Sequence, residues 1–228
     1  QELYDNYFPE IEEKASAYSI ENKIPYKPNS ADLEIILTEK FHYEIRNVDF
    51  EKYGATGKLR SLYIPEKRLL LLNELLDEDQ KTFIFAKEIG YNVLNLNPRP
   101  NTYSWLDFTS FEELLSNYYA SYFAGCLLIH KGILTEKLSQ FFRLEEWEPE
   151  NFENLIAEFT NSPETFYYRL TNILPQEHGI KDLFYLCFTK KKNSEKLEIL
   201  KELHLNQQQA PHANATNEHY CRRWIAVK

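Results

Sequence analysis

The segment from residue 77 to residue 94 predicts a helix with polar residues at the spacing of a metal motif, and its centre reads K-E-I-G-Y. In the pattern H-E-x-x-H, two His four residues apart share one helical face and bind zinc, and the Glu activates a metal-bound water. Here Lys87 and Tyr91 take the two His positions. Lys brings a positive charge and Tyr is a poor zinc ligand near neutral pH, so we expect Glu88 to have no metal beside it. The segment predicts a vestigial site without catalytic residues.

The elements around this helix predict an α+β fold. Two helices, at about residues 3–22 and 30–40, precede strand-like segments at 42–48, 59–64 and 68–72. Asp77 with Gln80 forms a capping-box pattern at the start of the motif helix. We therefore expect a small, mostly antiparallel sheet packed on helices.

The second half of the chain predicts more helices and then strands. Ser110 opens a long helix to about residue 130, and further helices are expected at about 134–143, 151–160 and 163–174. Strand character returns at 183–189, 197–203 and 224–227. The prediction is a helical core followed by a strand-containing C-terminal extension.

Composition excludes several classes of protein. The formal net charge of −9 argues against direct binding of nucleic acid, which needs clustered Lys and Arg. The sequence has no apolar run long enough to span a membrane and no signal peptide. Its three Cys are far apart, so we expect a reducing, cytoplasmic location rather than a disulfide framework. Because the chain begins at Gln1 and contains no Met, we expect it to be a piece of a longer protein.

Two stretches carry a resemblance to the ImmA/IrrE-type metallopeptidase family. R-L-L-L-L-N at 68–73 followed by Q-K-T-F-I-F-A-K-E-I-G-Y at 80–91 resembles the strand and the A-H-E-x-G-H helix of that family. Residues 119–128, Y-A-S-Y-F-A-G-C-L-L, resemble its next helix, E-A-N-x-F-A-x-x-L-L, with Tyr119 in place of the Glu that is the third metal ligand. The resemblance implies a zincin-like core in which Lys87, Tyr91 and Tyr119 replace all three ligands, and hence a protein that is not an enzyme.

The resemblance also implies a regulator. L-F-Y-L-C-F at 183–188, K-E-L-H-L at 201–205 and N-E-H-Y-C-R-R-W at 217–224 are similar to bacterial regulators of the XRE type, some described as short-chain fatty-acyl regulators. Such proteins place a helix-turn-helix DNA-binding domain before the peptidase-like part. We expect that domain to precede Gln1, a degenerate metallopeptidase-like domain at 1–132, and a regulatory subdomain at 133–228.

Candidate ligand-binding residues lie at the former metal site. In the functional interpretation Lys87, Glu88, Tyr91 and Tyr119, with Tyr122 nearby in sequence, line a remodelled polar pocket. The alternative is structural: Glu88 is an ordinary helix residue whose charge is satisfied by a neighbour such as Lys87. The sequence leaves both interpretations open.

A second cluster lies near the C-terminus. His204, His212, His219 and Cys221 offer nitrogen and sulfur ligands of the kind zinc prefers, but their spacing fits no standard zinc finger. A structural role is the simpler explanation, and a metal site at His212, His219 and Cys221 is the less favoured one. Arg222 and Arg223 could instead hold a carboxylate or phosphate as ligand-binding residues.

Three classes of function compete. The first is a ligand-responsive regulatory domain that binds an acyl-type small molecule, such as a fatty acid or acyl-CoA, and changes how the DNA-binding domains of a homodimer are presented. The second is an interaction or dimerisation module without a ligand, in which Tyr91 and Tyr119 fill the old site. The third is an enzyme with altered chemistry that uses Glu88 or a buried Lys87. No cofactor is expected.

Overall fold

Seven α-helices and six β-strands form the part of the chain that the computed structural model describes, which comprises residues 6–53, 59–100, 102–103, 110–190 and 197–204. The helices are α1 (Pro9–Glu21), α2 (Ser30–Glu39), α3 (Glu78–Val93), α4 (Phe111–Leu128), α5 (Lys131–Phe141), α6 (Pro149–Phe159) and α7 (Pro163–Glu177). The strands are β1 (Glu44–Val48), β2 (Leu59–Ile64), β3 (Leu69–Asn73), β4 (Thr102–Tyr103), β5 (Phe184–Lys190) and β6 (Leu197–His204). The predicted α+β class is confirmed.

The first four strands form one sheet in the order β1-β3-β2-β4. β2 pairs antiparallel with both β3 and β4, whereas β1 pairs parallel with β3. The sheet is therefore mixed and, as predicted, mostly antiparallel, with β1 as its parallel strand. The reason is connectivity: β2 reverses the chain and β3 reverses it again, so β1 and β3 run in the same direction. The apolar run of β3 fits this central position, since Leu70 and Leu72 are almost completely buried.

Local capping sets the starts of the helices that carry the motif positions. The Asp77 side chain accepts from the backbone N–H of Gln80, and the Gln80 side chain accepts from that of Asp77, which confirms the predicted capping box on α3. Ser110 caps α4 as predicted, accepting from the N–H of Glu113. The motif helix therefore begins where its sequence predicts.

Two predicted helix starts are displaced. Helix α1 begins at Pro9 rather than near residue 3, because Asn6 has a left-handed φ of 54° that a helix interior does not accept. The cap of α2 is Asn29, one residue before the predicted Ser30, and it forms a capping box with Asp32. Both differences lie at termini, where competing polar residues occur side by side.

The chain forms two compact units, residues 9–162 and residues 1–8 with 163–228. The first holds α1 to α6 and the four-stranded sheet. In the second, the Asn6 side chain donates to Thr171 Oγ1 at 2.9 Å, and the Asn172 side chain donates to the Asn6 carbonyl at 2.9 Å, which fixes the N-terminal segment to α7. The larger unit ends at Ser162, whereas the functional boundary was predicted at residue 132. That functional boundary remains a prediction.

The C-terminal extension begins as a hairpin. β5 and β6 pair antiparallel from Phe184 with His204 to Lys190 with Leu197, and the Tyr185 ring contacts that of Tyr168 on α7. These strands match the two predicted segments to within one residue. The strand predicted at 224–227 lies outside the described residues.

Helices α3 and α4 approach each other closely at Gly90. A Cβ atom at that position would lie 3.0 Å from Phe123 Cδ1 and 3.1 Å from the Ala120 carbonyl oxygen. A side chain at this position would require Phe123 or the α4 backbone to shift by a few tenths of an ångström. Gly90 thus places the motif face of α3 directly against α4.

Candidate functional site at the metal-motif helix

The three motif positions on α3 are all buried. The exposed fractions are 4% for Lys87, 5% for Glu88 and 1% for Tyr91. Two ionisable side chains on one helix are therefore almost completely removed from water, which is costly unless charges and hydrogen bonds compensate. The contacts of Glu88 show how its part of that cost is met.

Tyr43, just before β1, is the hydrogen-bonding centre of the site. Its hydroxyl donates to Glu88 Oε2 at 3.0 Å and accepts from Asn92 Nδ2 at 3.0 Å and Arg99 Nη1 at 2.6 Å. A phenolic oxygen has one proton and two lone pairs, so its hydrogen-bonding capacity is fully used. Tyr43 also stacks on Tyr63 of β2, with ring centroids 4.8 Å apart.

Arg99 supplies the positive charge opposite Glu88. Its Nη1 lies 3.5 Å from Glu88 Oε2, and its Nη2 donates to Asn92 Oδ1 at 3.2 Å. The guanidinium also lies over the rings of Tyr63 and Tyr91, 4.9 Å and 5.3 Å from their centroids. Glu88 is therefore held by an ion pair and a hydrogen bond, rather than left free beside an open coordination site.

Burial dominates the acid–base properties of the α3 residues. Desolvation raises the pKa of Glu88, and the nearby Arg99 and Lys87 charges oppose that rise. Desolvation lowers the pKa of Lys87 to about 8, with Glu88 opposing the shift and Arg60 adding to it. Burial disfavours the charged form of each residue relative to water. The opposite charge of the other residue partly offsets this effect.

The Tyr91 hydroxyl has no hydrogen-bond partner among the residues that the structure describes. Two cationic groups lie near its ring, with Lys87 Nζ 5.7 Å and the Arg99 guanidinium 5.3 Å from its centroid. Desolvation, and after it the Glu88 charge, raises the pKa of Tyr91, so the hydroxyl stays protonated as a donor. A buried donor without an acceptor is unusual in a native protein.

The two predicted residues on α4 have different environments. Tyr119 is half-buried, and its ring centroid lies 6.0 Å from that of Tyr118. Tyr122 is buried, and its hydroxyl donates to Glu12 Oε1 on α1 at 2.9 Å. Tyr122 therefore forms a polar contact with α1, and the ligand-binding role predicted for it stays a prediction.

The C-terminal candidates fall mostly outside the described residues. His212, His219, Cys221, Arg222 and Arg223 all lie there, so their predicted metal-binding or anion-binding roles stay predictions. Within the described ranges, no group of three or more His, Cys, Asp or Glu residues is arranged to hold a metal ion.

Family comparison explains the layout of the site. A model of the Peptidase M78 family, the IrrE N-terminal-like domain, matches residues 44–171, more than half of the chain. This match starts at β1 and includes α3 and α4, the two helices with the altered ligand positions. The chain belongs to this family, as the resemblance in its sequence indicated.

Solved structures extend the likeness in fold. The structure of a Mycobacterium tuberculosis transcriptional regulator matches with a TM-score of 0.60 at 18% sequence identity, covering 88% of this chain and 57% of that one. This chain thus spans little more than half the length of that regulator. No curated protein matches by sequence.

No helix in the described part of the chain combines the length and apolar character needed to cross a membrane.

The sequence analysis missed the partners of Glu88. Tyr43, Asn92 and Arg99 were not predicted as site residues, although Asn92 lies four residues after Glu88 on the same helical face. Arg99 lies in the N-P-R-P segment, residues 97–100, that follows the helix. An Arg close behind a helix with a buried Glu is the one signal that could have indicated the pairing.

Proposed function

We propose that this chain is the regulatory half of a bacterial transcriptional regulator, built on a metallopeptidase scaffold that no longer hydrolyses peptides. The observation that carries the proposal is the replacement of metal chemistry by an internal network. In this family the Glu at position 88 would act as a base on metal-bound water. Here its Oε2 is engaged by Tyr43 and Arg99.

Loss of peptidase activity follows from this network and from the altered ligands. A zinc ion needs about four ligands in tetrahedral geometry, three of them from the protein in catalytic sites. Lys87 and Tyr91 occupy two of those positions, and Tyr119 the third. Arg99 also opposes the rise in the pKa of Glu88 that burial causes, which makes this carboxylate a weaker base than an unpaired carboxylate buried to the same extent. The role of the whole regulator is inferred from the family and from the fold shared with the mycobacterial regulator.

The effector in this proposal is an acyl-type metabolite with an anionic or carbonyl head. Support comes from the Tyr91 hydroxyl, a buried donor without an acceptor among the described residues, and from the two cationic side chains, Lys87 and Arg99, which lie 5.7 Å and 5.3 Å from its ring centroid. A donor with two positive charges in its surroundings would favour an oxygen acceptor that carries negative charge. Such an effector would regulate by binding one arrangement of the protein more tightly than another.

A ligand-free interaction module is the second candidate. The close packing of the motif face favours it, since Lys87, Glu88 and Tyr91 are each at most 5% exposed. In that case the former active site serves only as a core, and the proposed effector does not exist.

The test is native mass spectrometry of the purified chain, followed by calorimetric titration with butyryl-coenzyme A and with free coenzyme A. We expect no zinc, and binding of the acylated compound that Tyr91→Phe weakens by about tenfold, the value of one hydrogen bond to a charged group. Tyr167→Phe, at an exposed tyrosine of α7, is the matched control and should bind like the unchanged protein.

Each outcome separates the candidates. Stoichiometric zinc would contradict the inactive scaffold. Absence of any binding would remove the effector and favour the interaction module. Equal binding by the Tyr91→Phe and Tyr167→Phe variants would place the effector away from the α3 site.

A further inference from the structure

A cluster of aromatic rings lies where α5 is joined to α6. Phe141 at the end of α5 is 5.5 Å from Trp147 and 5.3 Å from Phe152, and Trp147 is 5.6 Å from Phe152, measured between ring centroids. Phe142 adds a fourth ring, 5.9 Å from Phe141. We call these four rings, together with Leu144, the aromatic tip.

Much of the aromatic tip faces solvent. The exposed fractions are 66% for Trp147 and 49% each for Phe142 and Leu144. Single exposed apolar residues are ordinary, but a contiguous exposed cluster marks an interaction surface. Trp is also the residue most enriched among those that dominate binding energy at protein interfaces.

Helices α5 and α6, which carry the aromatic tip, are held in place by buried side chains. The opposite faces of the two helices are buried through Leu134 and Leu138 of α5 and Leu155 and Phe159 of α6. An ion pair, Lys137 with Glu158 at 2.7 Å, joins α5 to α6 directly. The rings are therefore presented by fixed helices, which lowers the entropy lost when a partner binds.

The charge around the tip is strongly negative. Among exposed residues 142–153, the single base is Arg143, and the acids are Glu145, Glu146, Glu148, Glu150 and Glu153. Glu148 and Glu150 flank the start of α6, where negative charge interacts favourably with the helix dipole. This interaction is sufficient to account for their position. Glu145 and Glu146 lie in the preceding loop, where helix stability does not require them.

We propose that the aromatic tip is a docking site for a positively charged protein segment that inserts an apolar side chain beside Trp147. Charge complementarity selects this occupant. The five glutamates around the tip, which we call the acidic rim, would repel nucleic acid and anionic lipid. If two copies of this chain met through this face, their acidic rims would repel each other. A basic amphipathic helix can place apolar side chains against the rings and positive charges beside the glutamates. This proposal is independent of any effector bound at α3.

The test measures binding of a fluorescently labelled sixteen-residue Lys/Leu amphipathic helix by anisotropy, with a Glu/Leu peptide of the same pattern for comparison. We expect the Lys/Leu peptide to bind, more weakly as salt is raised, and the Glu/Leu peptide not to bind. Trp147→Ala should weaken binding more than tenfold. Leu75→Ala, at an apolar residue 75% exposed outside the tip, is the matched control and should leave binding unchanged.

A charge variant tests the acidic rim without altering the rings. The double change Glu145→Lys with Glu146→Lys should abolish binding of the Lys/Leu peptide while leaving the circular dichroism spectrum unchanged. Equal affinity of the Trp147→Ala and Leu75→Ala variants, or equal binding of both peptides, would overturn the proposal.

Discussion

The motif face of α3 and the aromatic tip reverse the usual placement of residue types. The first buries Lys87 and Glu88 in a helical core, and the second exposes Trp147 to solvent. Each arrangement costs free energy unless something offsets it. At α3 the buried carboxylate is offset within the chain, by Arg99 and Tyr43. At the tip the described residues do not cover the rings, so the compensation we propose comes from another molecule.

The comparison teaches how to weigh two signals for function. A buried polar network that is nearly complete argues for a structural role. An exposed apolar cluster argues for an interaction. Tyr91 lies between these cases, because its donor is buried and still lacks an acceptor among the described residues.

The largest effect is expected from Arg99→Ala. Removing the guanidinium leaves Glu88 as a buried carboxylate without its ion pair, which should lower the free energy of unfolding by about 3 to 5 kcal/mol. Urea unfolding at pH 7 measures this change. Adding Glu88→Gln to Arg99→Ala should recover part of the loss, because the second change removes the buried charge. Unchanged stability in Arg99→Ala would show that the ion pair is not needed to hold Glu88.

The pH dependence of stability should reveal the burial of Lys87. Its pKa is about 8 in the folded protein and 10.5 when solvated. Between these values the unfolded chain binds more protons, so this residue makes stability rise with pH, by at most about 3 kcal/mol over the full interval. Comparing the unchanged protein with Lys87→Met from pH 7.5 to about pH 10 isolates the effect, since other titrations cancel. Parallel curves would contradict the lowered pKa.

A smaller loss is expected from Gly90→Ala. The new Cβ would meet Phe123 and the Ala120 carbonyl at about 3 Å, and such overpacking costs about 1 to 3 kcal/mol even though Ala favours helix. Gly132→Ala is the matched control, because its Cβ would lie 3.6 Å from the His130 ring, an ordinary contact. Thermal unfolding of both variants makes the comparison. Equal melting temperatures would mean that α3 and α4 can separate at this point.

The smallest effect on stability is expected at the tip. Leu144→Ser changes an exposed side chain, so the free energy of unfolding should stay within about 0.5 kcal/mol. The same variant should weaken binding of the Lys/Leu peptide. A large loss of stability would instead make the tip part of the core and remove the contrast with α3.

Local sequence signals were sufficient for most of the fold. Capping pairs such as Asp77 with Gln80 and the apolar run of β3 located their elements, because both depend on neighbouring residues. The parallel pairing of β1 was not predicted, since strand order depends on contacts between distant segments. The ion pair of Glu88 with Arg99 was missed for a similar reason: eleven residues separate the two, and the loop that returns Arg99 to the helix has no periodic pattern.

The close approach at Gly90 has a mechanical consequence. Phe123 is fully buried and packs against the backbone of α3 at Gly90. Sliding one helix along the other would push the Phe123 ring against the side chains next to Gly90. This contact resists movement of α3 relative to α4. We therefore expect the two helices to keep their contact at Gly90 in any rearrangement of this compact unit.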